Sequence, residues 1–270
     1  MKTKQFPLAL CAILAAAALV FAASCGNRSN RQSTLTVSGP LTENLTGYPL
    51  PTAYEVTNLI NRSGAAFVIG ITNPVENVER YLTEKSKAVN LGIYGADLAY
   101  VTTYNMQQET MDYLRVLRQL SDELNVTTNF NVDLAREVER HIDNKDTLIS
   151  IISQAFHDTY SFLVNNGKDD ISVLVLAGTW IEGLYLTSMV ATTSMHPVDL
   201  LQIVANQRES LSTLVSLLEQ HSEGSADVAK MRQLLEPIVL LYSKVGDTVS
   251  EAQAIQISDT VEQIRNQLVK

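Results

Sequence analysis

The sequence is poor in cysteine, in histidine and in positive charge. Its two cysteines, Cys11 and Cys25, both lie near the amino terminus, so residues 26–270 can form no disulfide and contain no thiolate nucleophile. The four histidines follow no metal-ligand spacing. The formal net charge is −9, or −11 without Lys2 and Lys4. Nucleic acid requires a basic surface, so we expect no nucleic-acid partner. The cysteine and histidine pattern leads us to expect no metal, and we expect no cofactor either.

Short catalytic and nucleotide-binding motifs are also missing. The chain contains no HExxH, GxSxG, GxxxxGK[ST] or GxGxxG pattern. It has no convincing alternation of apolar and polar residues, which disfavours β-strands. The hydrophobic content of 46% is nevertheless ample for a core. These features predict a folded all-α protein and favour a non-catalytic role over an enzymatic one, without excluding an enzyme.

The amino terminus has the layout of a secretory signal. Lys2 and Lys4 precede an apolar run, Leu8 to Ala23, that is too short and wrongly flanked for a conventional spanning helix. Small residues then lead directly into Cys25. This arrangement resembles the lipobox of bacterial lipoproteins, although Ala22 occupies a position where leucine is usual. The resemblance covers residues 1–25 and implies that Cys25 is acylated and becomes the new amino terminus.

The resemblance also implies a location. Two or more acyl chains give stable membrane anchoring, and the residues after Gly26 lack the acidic run that resembles surface-export signals. We therefore expect a lipid-anchored protein of the cell envelope, on the periplasmic face of an outer membrane. The predicted organisation is a signal peptide at 1–24, a lipidated polar tether at 25–51 and a single all-helical domain at 52–270.

Helical periodicity and stop signals predict about eight or nine helices, as a bundle or helical array. Asn73 and Pro74 are typical of a helix start, and the pattern predicts one helix from there into residues 91–105. Asn166 and Gly167 are typical of a helix end. Pro237 is expected to kink or divide a later helix.

Two apolar segments, residues 91–105 and 173–189, are predicted to form the centre of the fold. Both are rich in small residues, and Gly92, Gly95, Gly178 and Gly183 are expected to let neighbouring helices approach closely. Aligning the two segments at an offset of 86 residues suggests a duplication with halves at 52–145 and 146–246, followed by a last helix. The alternative is that unrelated amphipathic helices merely share leucine spacing.

Each central segment carries one acid, Asp97 in the first and Glu182 in the second. A carboxyl group in such apolar surroundings must be paired, hydrogen-bonded or protonated. These acids, together with nearby aromatic residues, could line a ligand pocket between the helices; the aromatic candidates are Tyr94, Tyr100, Tyr104, Trp180 and Tyr185. The alternative is that the same groups bond one another and fix the register of the helices.

Two functional hypotheses follow from the sequence. The first is a membrane-anchored, non-catalytic lipoprotein that binds another envelope protein or supports envelope assembly. The second is a small-ligand-binding protein, less readily an enzyme, that uses the aromatic and carboxylate pocket. A cavity beside Asp97 and Glu182 would favour the second hypothesis, and a solid core there would favour the first.

Overall fold

The computed structural model describes residues 50–51, 53–126, 132–194 and 198–270. The signal peptide, Cys25 and nearly all of the tether lie outside these residues. The described residues belong to one compact unit. Helix is the regular secondary structure of this part of the chain, and no strand occurs in it, so the all-α prediction is confirmed.

Ten α-helices and one 3-10 helix make up the described fold. In chain order they are α1 (Ala53–Arg62), the 3-10 helix (Val75–Arg80), α2 (Glu84–Thr103), α3 (Gln107–Glu123), α4 (Val132–Arg140), α5 (Lys145–Asn165), α6 (Asp169–Thr193), α7 (Val198–Ser222), α8 (Ala226–Leu234), α9 (Glu236–Tyr242) and α10 (Glu251–Asn266). The expected count of eight or nine was too low, because some predicted helices are divided.

The clearest division lies before α2, where the sequence predicts one continuous helix from Asn73. Instead, the 3-10 helix ends at Arg80 and α2 begins at Glu84. Thr83 caps α2 in a capping box with Ser86, which satisfies backbone N–H groups that a continuous helix would bond internally. A helical segment does begin after Pro74, but it is a 3-10 helix whose N-cap is Pro74, without a side-chain cap from Asn73, and the cap at Thr83 starts α2 separately.

The other predicted boundaries are close to the observed ones. α5 ends at Asn165, and Gly167 has a φ of +67°, which glycine adopts without steric cost. Pro237 lies in the first turn of α9, directly after α8 ends, so it divides the predicted helix.

Helices α2 and α6 form the centre of the fold. All residues of α2 from Ala88 to Thr103 are buried, and so are those of α6 from Ile171 to Ser188. Neither helix has a polar face, which is consistent with their position, since neighbouring helices cover both of them on several sides. Helices α1, α3 and α5 also pack on α2, and α1, α7 and α10 also pack on α6. The prediction that these two segments are central is confirmed.

Helix α6 is also long and apolar enough to cross a membrane. It has 25 residues, and 94% of its most apolar stretch is buried inside the protein. A core helix buried inside a helical domain can have the same length and composition. Because α6 is buried, its apolar surface packs against the other helices.

The crossing of α2 and α6 depends on two glycines. A Cβ atom on Gly92 would lie 2.0 Å from the carbonyl oxygen of Val175, and one on Gly178 would lie 2.0 Å from that of Val89. Val175 precedes Gly178 by three residues, and Val89 precedes Gly92 by three. The contact is therefore reciprocal, and the two backbones lie closer than any side chain would permit.

The other two glycines of these helices differ in their use. A Cβ on Gly95 would lie 2.5 Å from the ring of Phe156 on α5, so Gly95 accommodates a close neighbour as expected. A Cβ on Gly183 would meet nothing within 4 Å, so the expectation of a close helix contact there was wrong. The duplication of residues 52–145 and 146–246 stays a prediction, although the reciprocal contact fits the offset of 86 residues.

Candidate functional site

Both central acids are fully buried, at 0% exposure, between α2 and α6. The carboxylate of Glu182 accepts a hydrogen bond from Nε of Arg265, which lies on α10, over a distance of 2.6 Å. The carboxylate of Asp97 accepts a hydrogen bond of 3.1 Å from the backbone N–H of Asn73. The acids therefore connect four separate parts of the chain.

Arg265 is the first of two residues of this site whose role the sequence did not predict. Its side chain is only 8% exposed, its Nη2 donates to the carbonyl oxygen of Ile71 at 3.2 Å, and its guanidinium carbon lies 4.2 Å from the centre of the Tyr185 ring. The signal was the periodicity of α10: Arg265 follows the buried residues Ile257 and Val261 at intervals of four. A charged residue on an apolar stripe needs a buried partner.

Asn73 is the second missed residue, and it joins several groups in the core. Besides donating to Asp97, its side-chain amide donates to the Tyr81 hydroxyl at 2.9 Å. Its backbone carbonyl accepts from the Tyr113 hydroxyl at 2.9 Å, and its side-chain oxygen accepts from Asn77 at 2.8 Å. The segment before the 3-10 helix is thus fixed to the centre of the fold by both its backbone and its side chain.

Three of the predicted tyrosines fasten the loop that follows α1 and leads to the 3-10 helix. Tyr94 donates to the carbonyl oxygen of Pro74 at 2.8 Å, and Tyr104 donates to that of Ala65 at 2.9 Å. The hydroxyl of Tyr100 accepts from the backbone N–H of Val68 at 2.9 Å. Each hydroxyl therefore forms a hydrogen bond with a backbone group of the loop. Without it, that group would need a water molecule as its partner.

Trp180 faces a different neighbourhood. It lines a small cleft together with residues of α1 and α7 and with Gly183, and its buried Nε1 has no hydrogen-bond acceptor among the described residues. The cleft has a volume of about 10 Å³. This is room for roughly one water molecule. The open space beside Gly183 belongs to this cleft.

The seven residues predicted to line one pocket therefore lie in three surroundings. Asp97, Glu182, Tyr185 and Tyr94 lie around Arg265 and the Asn73 segment, Tyr100 and Tyr104 face the loop, and Trp180 faces α1 and α7. A ligand-binding role for these residues stays a prediction.

Burial dominates the acid–base properties of this centre. It raises the pKa of Asp97 well above its usual range, and the negative charge of Glu182 raises it further, while Arg265 and the Asn73 N–H act in the opposite direction. Burial also raises the pKa of Tyr100 to about 12 and raises the pKa values of Tyr94 and Tyr113. The phenols are therefore neutral at physiological pH.

The chemistry open to this arrangement is limited by access. Both acids have no exposed surface, so a substrate cannot reach them in the described conformation. Within the described ranges, no group of three or more His, Cys, Asp or Glu side chains is arranged to hold a metal ion. The geometry is suited to joining helices and to holding a proton.

Comparisons with protein-family models, with curated proteins and with solved structures found no match to this chain.

Proposed function

We propose that this protein is a lipid-anchored, non-catalytic helical module of the cell envelope that binds a partner protein or supports envelope assembly. The observation that carries the proposal is the use of Asp97 and Glu182. Both acids are bonded inside the protein, to Asn73 and Arg265, and neither is exposed. The residues with the most distinctive chemistry thus hold helices together, which leaves recognition to the surface.

Among the described residues, three open clefts are candidates for such recognition. One, of about 240 Å³, lies between α3 and α4 and includes Arg118; a second, of about 500 Å³, lies along α7 and includes Asn206. A third, of about 360 Å³, lies between α8 and α10 and includes Gln233. Isolated apolar side chains are also exposed, but single ones are normal on soluble domains and do not define a docking surface.

The membrane anchor is tested by replacing Cys25 with serine. A serine hydroxyl cannot form the thioether of a lipoprotein, so the variant is expected to leave the membrane fraction and to lose its acyl chains. Fractionation and mass spectrometry of the amino terminus measure both effects. Cys11→Ser is the matched control, because Cys11 lies inside the predicted signal peptide and its replacement leaves Cys25 intact. If Cys25→Ser stays in the membrane fraction and also keeps its acyl chains, the lipoprotein proposal is wrong.

The partner is tested by photo-crosslinking in the intact envelope. A photoreactive residue is placed at Arg118, Asn206 or Gln233, all of which are exposed, one for each cleft. We expect one position to crosslink a single protein and the other two to serve as controls. Absence of crosslinks from all three clefts would contradict recognition of a partner through them.

The competing hypothesis is a small-ligand-binding protein. The unpartnered Nε1 of Trp180 beside its cleft favours it, because a buried donor without an acceptor is unfavourable. In the described conformation the cleft holds about one water, so a larger ligand requires the cleft to open. A compound that raises the melting temperature of the wild type but not of Trp180→Phe would support this hypothesis.

A further inference from the structure

The acid pair of Asp97 and Glu182 has fewer hydrogen donors than its oxygens require. Oδ2 of Asp97 is bonded to Asn73, and Oε2 of Glu182 is bonded to Arg265. The remaining oxygens, Oδ1 and Oε1, are buried, and no donor group of the described residues bonds to them. Glu182 also raises the pKa of Asp97, both through its charge and as a hydrogen-bonding neighbour. A hydrogen bond between two carboxyl groups exists only if one of them carries a proton.

The charges around the pair are also unbalanced. Two ionised carboxylates beside one guanidinium would leave a net charge of −1 in the core. The other titratable groups that act on the pair from α2, α3 and α6 are phenols, namely Tyr94, Tyr113 and Tyr185; Glu262 on α10 acts on Tyr185, and Arg80 acts on Tyr81 at the edge. The phenols are neutral, so Arg265 supplies the positive charge next to the acids. An unbalanced buried charge is strongly unfavourable.

We infer that Asp97 and Glu182 hold one proton between them in the folded protein, and that loss of this proton at alkaline pH loosens helix α10. A single proton solves both problems. It supplies the missing donor between the two carboxyl groups, and it brings the pair and Arg265 to a net charge of zero. Pairs of carboxyl groups in close contact share protons for the same reason.

Loss of the proton is expected to loosen α10, rather than α2 or α6, because α2 and α6 are held together by direct backbone contact. Helices α2 and α6 are in backbone contact at Gly92 and Gly178, and Asp97 and Glu182 are fully buried in them. The side chain of Arg265 is slightly exposed, at 8%, so water reaches the pair most directly from the α10 side. When the pair becomes doubly charged, its attraction to Arg265 increases, but one guanidinium balances only one of the two charges. Hydration of the second charge requires water to enter from this side, which favours opening of α10.

Burial and Glu182 raise the pKa of Asp97 while α10 is docked. Opening of α10 hydrates both acids and removes much of this burial, so the pKa of Asp97 falls toward its ordinary value, although the loss of Arg265 acts in the opposite direction. The native state then binds a proton that the opened state releases. The stabilising effect is complete below the ordinary carboxyl pKa of about 4, and it is lost as the pH rises through the higher native pKa. Between these two values the opening constant of α10 increases up to tenfold per pH unit, and above the native pKa it levels off.

Hydrogen exchange of the α10 amides from pH 5 to pH 9, corrected for intrinsic exchange rates, tests the inference. In the wild type, protection of α10 should fall with pH more steeply than protection of α2 and α6. Asp97→Asn should remove this difference, because its amide can donate to Glu182 at every pH. Asp259→Asn is the matched control: Asp259 is exposed on the same helix, so this variant should behave like the wild type.

Three results would overturn the inference. The first is α10 protection that does not change with pH in the wild type. The second is a steep pH dependence that persists in Asp97→Asn. The third is stabilisation of α10 by potassium or sodium ions at fixed pH and ionic strength, which would assign the missing charge to a metal cation.

Infrared spectroscopy of the wild type gives an independent measurement if Asp97→Asn does not fold. A shared proton predicts the carbonyl band of a protonated, buried carboxyl group at neutral pH, and this band should disappear as the pH is raised. Absence of the band at neutral pH would overturn the inference without any variant.

Discussion

Replacing Arg265 with methionine is expected to lower the free energy of unfolding by about 3–5 kcal/mol, the usual cost of removing one partner of a buried ion pair. Methionine retains much of the apolar stem of Arg265, so the loss reports the missing guanidinium, with its bond to Glu182 and its contact with the Tyr185 ring, rather than a large cavity. In its absence Glu182 and Asp97 remain buried without a cation. Denaturant unfolding followed by circular dichroism measures the change.

Arg115→Met is the matched control for this prediction. Arg115 lies on α3, forms an ion pair with Asp112 and has a side chain that is 72% exposed. Exposed pairs of this kind contribute about 0.2–1 kcal/mol, so the control should remain close to the wild type. Adding Glu182→Gln to Arg265→Met should recover part of the lost stability, because it removes the uncompensated charge. An Arg265→Met variant as stable as the Arg115→Met control would show that the buried pair is not holding α10.

Replacing Gly178 with alanine is expected to cost about 3 kcal/mol, at the upper end of the range for overpacked cores. The added methyl group would lie 2.0 Å from the carbonyl oxygen of Val89, and the obstacle is backbone, which cannot rotate away as a side chain can. The two central helices must therefore move apart. Gly92→Ala should have a similar effect, since its methyl group would meet Val175 at the same distance.

Gly183→Ala is the matched control, five residues further along the same helix. Its methyl group would enter open space, and alanine is favoured over glycine in a helix interior by about 0.8–1.0 kcal/mol. This variant should therefore be as stable as the wild type or more stable. Equal losses for Gly178→Ala and Gly183→Ala would show that the helix crossing is not the cause. Melting curves of the three glycine variants decide the question.

The central helices could be predicted from sequence because composition alone separates them from surface helices. Residues 91–105 and 173–189 carry one acid each and are otherwise mostly apolar, small or aromatic, and both are buried as expected except at their carboxyl ends. Burial of Asp97 and Glu182 follows from the same reasoning. The predicted stop at Gly167 and division at Pro237 were also close, since both depend on local backbone chemistry.

The partners of the two acids could not be predicted in the same way. Arg265 is 83 residues from Glu182 along the chain, and Asn73 is 24 residues from Asp97, so no local pattern connects them. Asn73 was interpreted as a helix cap, which its neighbour Pro74 supports, but tertiary contacts outweigh that preference. The tyrosines were predicted to line one pocket with the two acids. Instead, Tyr100 and Tyr104 bond to residues 68 and 65 of the unpredicted loop, while Tyr94 bonds to residue 74.

The contacts of Arg265 also have a consequence for the order of folding. Its bond to Ile71 closes a separation of 194 residues, and Asn90 bonds to the carbonyl oxygen of Leu268 across 178 residues. A nascent chain that lacks residues 251–268 would have to bury Asp97 and Glu182 without their cation. The centre of the fold therefore cannot reach its final state until this last segment has been synthesised and has docked. Contacts this distant in sequence are also expected to slow folding, because long loops must close before the contacts stabilise them.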